Sequence, residues 1–193
     1  MKSAITIAAV AGLATVASAQ NIGTVSVTAA SATIGIGEST TISVVLSDNI
    51  SGNSVFAFDI AVDGAGGAGF TTSNLVSDAG VFGFNGSLTA TGATGLGGSS
   101  DILGPTLDAS LDGVAVFTFE VTGTAEGSVT FTASDGAGPN PAMQWGMEGG
   151  VVILPANYDS IDFGNGATVR VTPAPSGMAL LGLGGLAVAR RRR

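Results

Sequence analysis

The sequence predicts an all-β fold, an antiparallel β-sandwich over residues 20–172, flanked by an N-terminal signal helix and a short hydrophobic C-terminal helix. Three observations predict it. Short runs rich in Val, Thr, Ile and Phe alternate apolar with polar residues at period two, the pattern of strands with one buried face. Pairs of Asp, Asn and Gly separate these runs and read as turns. No stretch of the body holds a period of 3.6 residues, so no helix is expected within it.

The chain begins MKSAITIAAVAGLATVASA. Lys2 is a short positive head, Ala4 to Val16 an apolar run, and Ala17-Ser18-Ala19 a small-x-small cleavage site. These are the parts of a secretory signal, in order, so residues 1–19 are expected to be removed and Gln20 to begin the mature chain.

The strands follow. Thr24 to Thr28 and Thr41 to Leu46 alternate regularly. Val55 to Val62 places Phe56, Phe58, Ile60 and Val62 on one face. Val114 to Val121, Ser128 to Ala133 and Thr168 to Val171 continue the series, with the alternating Phe residues as core. Gly149 to Leu154 is solidly apolar, a candidate central strand. Turns are expected at Asp48-Asn49, Asp63-Gly64, Asp112-Gly113, Gly123-Thr124 and Asp135-Gly136. Gly80 to Gly104 is the weakest part of the pattern. It reads as a strand pair, Val81 to Phe84 with Ser87 to Thr91, followed by a long loop, or else as a mobile stretch.

The last segment, residues 173–193, has three parts. Pro173-Ala174-Pro175 breaks regular structure, Gly177 to Ala189 is uncharged, and Arg190 to Arg193 closes the chain. A helix of 13 residues over that run spans about 20 Å, short of the roughly 30 Å hydrocarbon core. The Arg cluster would stay in the cytoplasm while the body lies outside. This order of Pro-rich triplet, apolar segment and terminal Arg cluster resembles the PEP-CTERM sorting signals. The resemblance implies recognition and removal by an exosortase-type membrane protease, in bacteria that make extracellular polysaccharide. Ala174 departs from it, standing where that family has Glu.

The chain has no Cys and no His, which excludes disulfides, thiolate metal sites, cysteine nucleophiles and Ser-His-Asp chemistry. Lys2 is the only Lys and lies in the signal, so Schiff-base and Ser-Lys schemes fail in the body. Arg170 is the only basic residue of the body and faces 14 acidic ones, a net −13. Such a surface repels nucleic acid and anionic lipid. Gly95-Leu96-Gly97-Gly98 lacks the spacing and Lys of a phosphate loop.

Paired carboxylates remain. Asp108 with Asp112, or Asp159 with Asp162, are the pairs a glycosidase would need, though Asp is also the expected turn residue at these places. Asp159 and Asp162, near Asn157 and Asn165, form the best local calcium cluster. No known calcium-loop spacing is present, and the plainer reading is solvated turn carboxylates. Trp145 and Tyr158, the sole Trp and Tyr, are either stacking platforms for sugars or core. No catalytic, metal or cofactor residue is assigned.

The succession of Glu38 to Ser47, Val55 to Val62, Val114 to Val121 and Gly127 to Ala133 resembles cohesin-like or carbohydrate-binding-module-like sandwiches. Such sandwiches serve as adhesion, scaffold or sugar-binding modules. The expected function is non-enzymatic: an exported structural or adhesive protein of the cell surface or extracellular matrix, sorted through its tail. The alternative is a carbohydrate-binding module that uses Trp145 and nearby acids on extracellular polysaccharide.

Overall fold

The alternation condenses into two facing β-sheets with the apolar half of each strand between them. The structure, a computed structural model, describes residues 20–49, 53–77, 81–100, 111, 113–136, 142–147 and 156–173. In chain order its strands are β1 (Ile22–Ala29), β2 (Thr33–Gly35), β3 (Ser39–Asp48), β4 (Asn53–Gly66), β5 (Gly69–Ser77), β6 (Val81–Leu88) and β7 (Gly92–Ser100). They continue as β8 (Ala115–Ala125), β9 (Gly127–Asp135), β10 (Met143–Met147), β11 (Ala156–Asn157), β12 (Ser160–Asp162) and β13 (Ala167–Thr172). Among the described residues there is no helix. The expected signal helix, the expected tail helix, the Gly149 to Leu154 strand and the Asp108/Asp112 pair lie outside them.

One sheet has the order β12-β1-β3-β8-β5. The other runs β11-β10-β4-β9-β13-β2, with β7 on the opposite edge of β4 and β6 beyond β7. Most pairs are antiparallel, as expected. Two edge pairs, β1 with β12 and β13 with β2, are parallel instead. At the second of these the chain crosses between sheets after β1, and β2 reaches β13 already running in its direction.

The core lies between the sheets. Val25, Ile42, Val44, Leu46, Phe117, Phe119 and Val121 meet Val55, Ile60, Val62, Val129, Phe131, Val169 and Val171, all fully buried. Phe131 stands edge-on to both Phe70 and Phe119, with centroids 5.3 and 5.9 Å away. Phe117 lies 6.3 Å from Phe58 and 6.2 Å from Phe84. Bulges explain where strict alternation fails. Val44 pairs with Phe117 but Val45 with Ala115, so Val116 is the extra residue and is buried beside Phe117. Gln144 pairs with Ala57 but Trp145 with Val55, which shifts the phase of β4 so that Val55 and Phe58 are both buried.

Three expected features are corrected. Gly80 to Gly104 is not a strand pair ending at Thr91 before a long loop. The turn falls at Thr89–Thr91, and β7 runs from Gly92 to Ser100 along β4. Glycine enables this close approach: a Cβ on Gly92 would strike the carbonyl of Val62, and one on Gly98 would lie 3.3 Å from the Phe58 ring. Asp63-Gly64 is no turn. Both residues are inside β4, and Gly64 pairs with Phe131. Gly123-Thr124 is likewise inside β8, where Gly123 packs against Val171. β3 ends at Asp48 and β9 at Asp135, where turns are expected.

Candidate functional site

The fold gives Asp159, Asp162, Trp145 and Tyr158 structural partners. Asp159 accepts a hydrogen bond at Oδ2 from the Asn21 backbone N–H (2.8 Å), and its own N–H donates to the Asn21 carbonyl (2.9 Å). Asp162 accepts from the Gly164 N–H, at 2.8 Å, within its own turn. Each carboxylate thus holds local backbone. Among the described residues no three acidic side chains gather in a group able to hold a metal ion. Asn157, the neighbour noted for calcium, accepts from Gln144 Nε2 at 3.1 Å.

Trp145 is half-buried against the core, and its indole Nε1 donates to the Asn157 carbonyl at 3.2 Å. Tyr158 is buried and packs over Gly23, where an added Cβ would meet its ring at 3.0 Å. Its hydroxyl donates to Asp48 Oδ2 at 2.7 Å. The platform reading is not favoured for either ring: one is tied down at the sheet end, the other sits inside the sandwich.

Asp59 is the one buried acidic residue among the described ones, 7% exposed. It marks the point where β9 gives way to β10 along the same edge of β4. Its N–H donates to the Ala142 carbonyl and its carbonyl accepts from the Gly136 N–H, both at 3.0 Å. Burial raises its pKa above the ordinary carboxylate value, and the charge of Asp135 raises it further.

A different feature emerges from register, and single-residue motifs did not reveal it. The outer face of the five-stranded sheet is built from the polar half of each alternating strand. Thr28 of β1 stands opposite Ser43 of β3, which stands opposite Thr118 of β8. Ser39, Thr122 and Thr71 form a second row, and Ser39 Oγ lies 2.7 Å from Thr122 Oγ1. Thr24 with Ser47 and Thr41 with Glu120 and Ser73 form others. Neighbours within a row are about 4.8 Å apart and rows are about 6.8 Å apart.

Across β1, β3, β8 and β5 the outward positions are mostly Ser or Thr; the exceptions include Ile22, Val45, Ala115, Glu120, Asn74 and Val76. Glu120 is the sole charge on these four strands, and Asn74 Nδ2 donates to it at 2.8 Å; on the fifth strand, β12, Asp162 stands beside Thr24 at the edge of the same face. The face carries no Lys, no Arg and no aromatic ring. On a body with 14 acidic residues, this is a marked sorting of charge.

No family model matches the sequence, and no curated protein matches it. Solved structures do resemble the fold. The seventh ScaB type I cohesin from Pseudobacteroides cellulosolvens aligns at a TM-score of 0.54 and 10% identity, over 80% of this chain and 94% of that one. A non-cellulosomal cohesin from the archaeon Archaeoglobus fulgidus gives 0.48 at 11% identity, over 81% and 96%. The sixth cohesin of scaffoldin B from Acetivibrio cellulolyticus, crystallised with a Cel5 dockerin, gives 0.49 at 13%, over 77% and 99%. The first likeness shows a cohesin-type β-sandwich fold.

Proposed function

We propose that this chain is an exported, non-catalytic adhesive or structural module that makes contact through the outer face of its five-stranded sheet. Residues 1–19 act as a removed secretory signal. Residues 173–193 hold the protein in the membrane until an exosortase-type protease reads and cuts them, leaving the body at the outer surface or in extracellular matrix.

The observation that carries this reading is the nearly uncharged hydroxyl face. A strongly acidic body stays soluble by spreading carboxylates over its solvated surface. Covering a carboxylate with a partner costs desolvation, whereas small hydroxyls are cheaply covered and readily re-bonded. Depletion of charge is also what separates the centre of a contact surface from ordinary surface. A cohesin-type sandwich supplies a rigid frame for such a face.

A second reading, binding of extracellular polysaccharide, is favoured by the same array. Each hydroxyl both donates and accepts, as sugar hydroxyls do. It places the contact on Ser43 and Thr118, not on Trp145.

The test is retention of the secreted protein on the producing cell's extracellular matrix. Ser43→Lys and Thr118→Lys put charge at the centre of the face; Ser134→Lys puts it on the exposed outer side of β9. Retention should fall with the first two alone. Equal behaviour of all three variants would sink the assignment of the face. Mass spectrometry of the native protein tests the tail: peptides ending near Pro173 to Ser176 are expected, and an intact Arg190 to Arg193 would refute cutting.

A further inference from the structure

We infer that the mature chain carries a self-made modification: Gln20 closes on its own amino group to form a neutral pyroglutamate terminus. The inference rests on the proposed removal of residues 1–19, which turns Gln20 from an internal residue into the first one.

The chemistry uses atoms of one residue. The α-nitrogen attacks Cδ of the side-chain amide, an N–C bond forms, the Cδ–Nε bond breaks, and ammonia leaves. The product is a five-membered lactam. Nothing is oxidised or reduced, and no co-reactant is needed. The nucleophile is the neutral amine, and with an α-amino pKa of about 7.7–8.0 a useful fraction is neutral near pH 7. Before leader removal the same nitrogen is a peptide nitrogen bonded to Ala19 and is not nucleophilic, so the ring cannot form early.

The fold leaves those atoms free and fixes the chain immediately after them. The Gln20 carbonyl accepts from Asn49 Nδ2 at 2.9 Å. The Asn21 N–H donates to Asp159 at 2.8 Å, and the Ile22 N–H to Asn49 Oδ1 at 2.8 Å. Anchoring thus begins at the carbonyl of Gln20 and runs on into β1. Every atom of the lactam ring lies on the other side of that carbonyl carbon. Gln20 is exposed, and among the described residues nothing bonds its nitrogen or its carboxamide. Among the described residues, ring closure therefore breaks no hydrogen bond.

Two consequences follow. The terminus loses its positive charge, leaving Arg170 as the only cation on the body. It also loses the free amine on which aminopeptidases act, at the exposed residue that leads into β1.

The experiment is mass spectrometry of the N-terminal peptide of the natively secreted protein, with Edman degradation before and after pyroglutamyl peptidase. The expected peptide begins at position 20, is lighter by one ammonia than the encoded sequence, and is blocked until the peptidase acts. To exclude ring closure during handling, freshly secreted protein is aged at neutral pH either folded or in urea, and the two rates are compared. They should be equal. A peptide that begins with Gln20 and keeps a free amine after ageing overturns the inference while leaving export intact. So does a folded rate far below that in urea. A peptide beginning at Met1 overturns both the export reading and the inference.

Discussion

Gly64→Ala separates two explanations of one glycine by the sign of its effect. Gly64 has no left-handed φ, so its backbone imposes no penalty on alanine. On backbone grounds alone the substitution should stabilise by about 0.4–1 kcal/mol, through the stiffer unfolded chain. Packing says the opposite. A Cβ at this position would lie 2.6 Å from Cε1 of Phe131, 3.0 Å from its Cδ1 and 2.9 Å from the carbonyl oxygen of Thr91. Carbon atoms settle at about 3.5–4.0 Å, so the ring must retreat by about 1 Å. It has nowhere to go, because Phe70 and Phe119 hold it at 5.3 and 5.9 Å on other sides. The oxygen is backbone, and it already accepts the Gly64 N–H at 2.7 Å.

Overpacking costs about 1–3 kcal/mol; with one of the two clashes against backbone the upper part of that range, about 2–3 kcal/mol, applies, and after a backbone gain of about 1 kcal/mol it leaves a net loss of about 1–2 kcal/mol. For a body of this size that is a fall in Tm of about 2–8 °C. Urea denaturation of wild type, Gly64→Ala, Phe131→Leu and the double variant measures it. The alanine should cost less in the Phe131→Leu background, with a coupling of at least about 0.5 kcal/mol. The relief stays incomplete, since the Thr91 oxygen does not move with the ring. A stabilised Gly64→Ala, or costs that simply add, would refute the packing argument.

Other glycines divide by the same criteria. Gly37→Ala, with φ of 84° and open space around it, should cost only about 1 kcal/mol, while Gly166→Ala, at φ of 73° and against the Phe131 carbonyl, should cost several times more; thermal melts compare them directly. Tyr158→Phe removes the donor to Asp48 from a buried ring and should lower stability by about 1.5–3 kcal/mol, read from the urea midpoint. Asp59 gives a pH signature. Because its folded pKa is raised, the folded state binds the proton more tightly than the unfolded one, so its contribution is largest below the ordinary Asp value and is lost as pH rises through the raised value. Asp59→Asn should therefore be more stable than wild type at neutral pH, with the gap closing in acid, and Asp135→Asn should narrow that window; denaturation series across pH read both. Trp145→Ala should leave matrix retention unchanged in protein that remains folded, whereas a loss would return the contact to the β10–β11 end.

The strands were legible because their signal is local. Period-two alternation in β1, β3, β8, β9 and β13 follows directly from one wet and one dry face. What misled was glycine. Gly64, Gly92, Gly98 and Gly123 look like turn residues in the sequence, yet each lies within a strand, where another chain segment comes too close for a side chain. The reason is tertiary: the approaching groups, Phe131, Val62, Val81 and Val171, are distant in sequence or belong to the partner strand. The hydroxyl face was hidden for a related reason. Thr28, Ser43 and Thr118 are unremarkable one by one, and only register brings them into a row. The acids were legible as turn formers and misleading as ligands, because Asp159 and Asp162 are already used by backbone N–H groups.

The edges of the two sheets limit how further strands can add. A free strand edge recruits another strand when it offers an unbroken run of N–H and C=O groups. β5, the long edge of the five-stranded sheet, is broken twice: its register with β8 shifts at Gly69/Phe70 and again between Ser73 and Val76. Asn74, at φ of 52°, twists the edge at the second break. β6 carries Gly83 and Gly86 at positive φ, and its register with β7 shifts twice. β2, β11 and β12 have only two or three residues each. Edge-to-edge addition therefore finds no continuous template among the described strands. The outer face of β1, β3, β8 and β5 has the opposite character, with regular rows and a single carboxylate. Under the proposed role outside the cell, irregular edges and an ordered face would let the module make contact without zipping to its own copies, and this is the division of surface that the strands present.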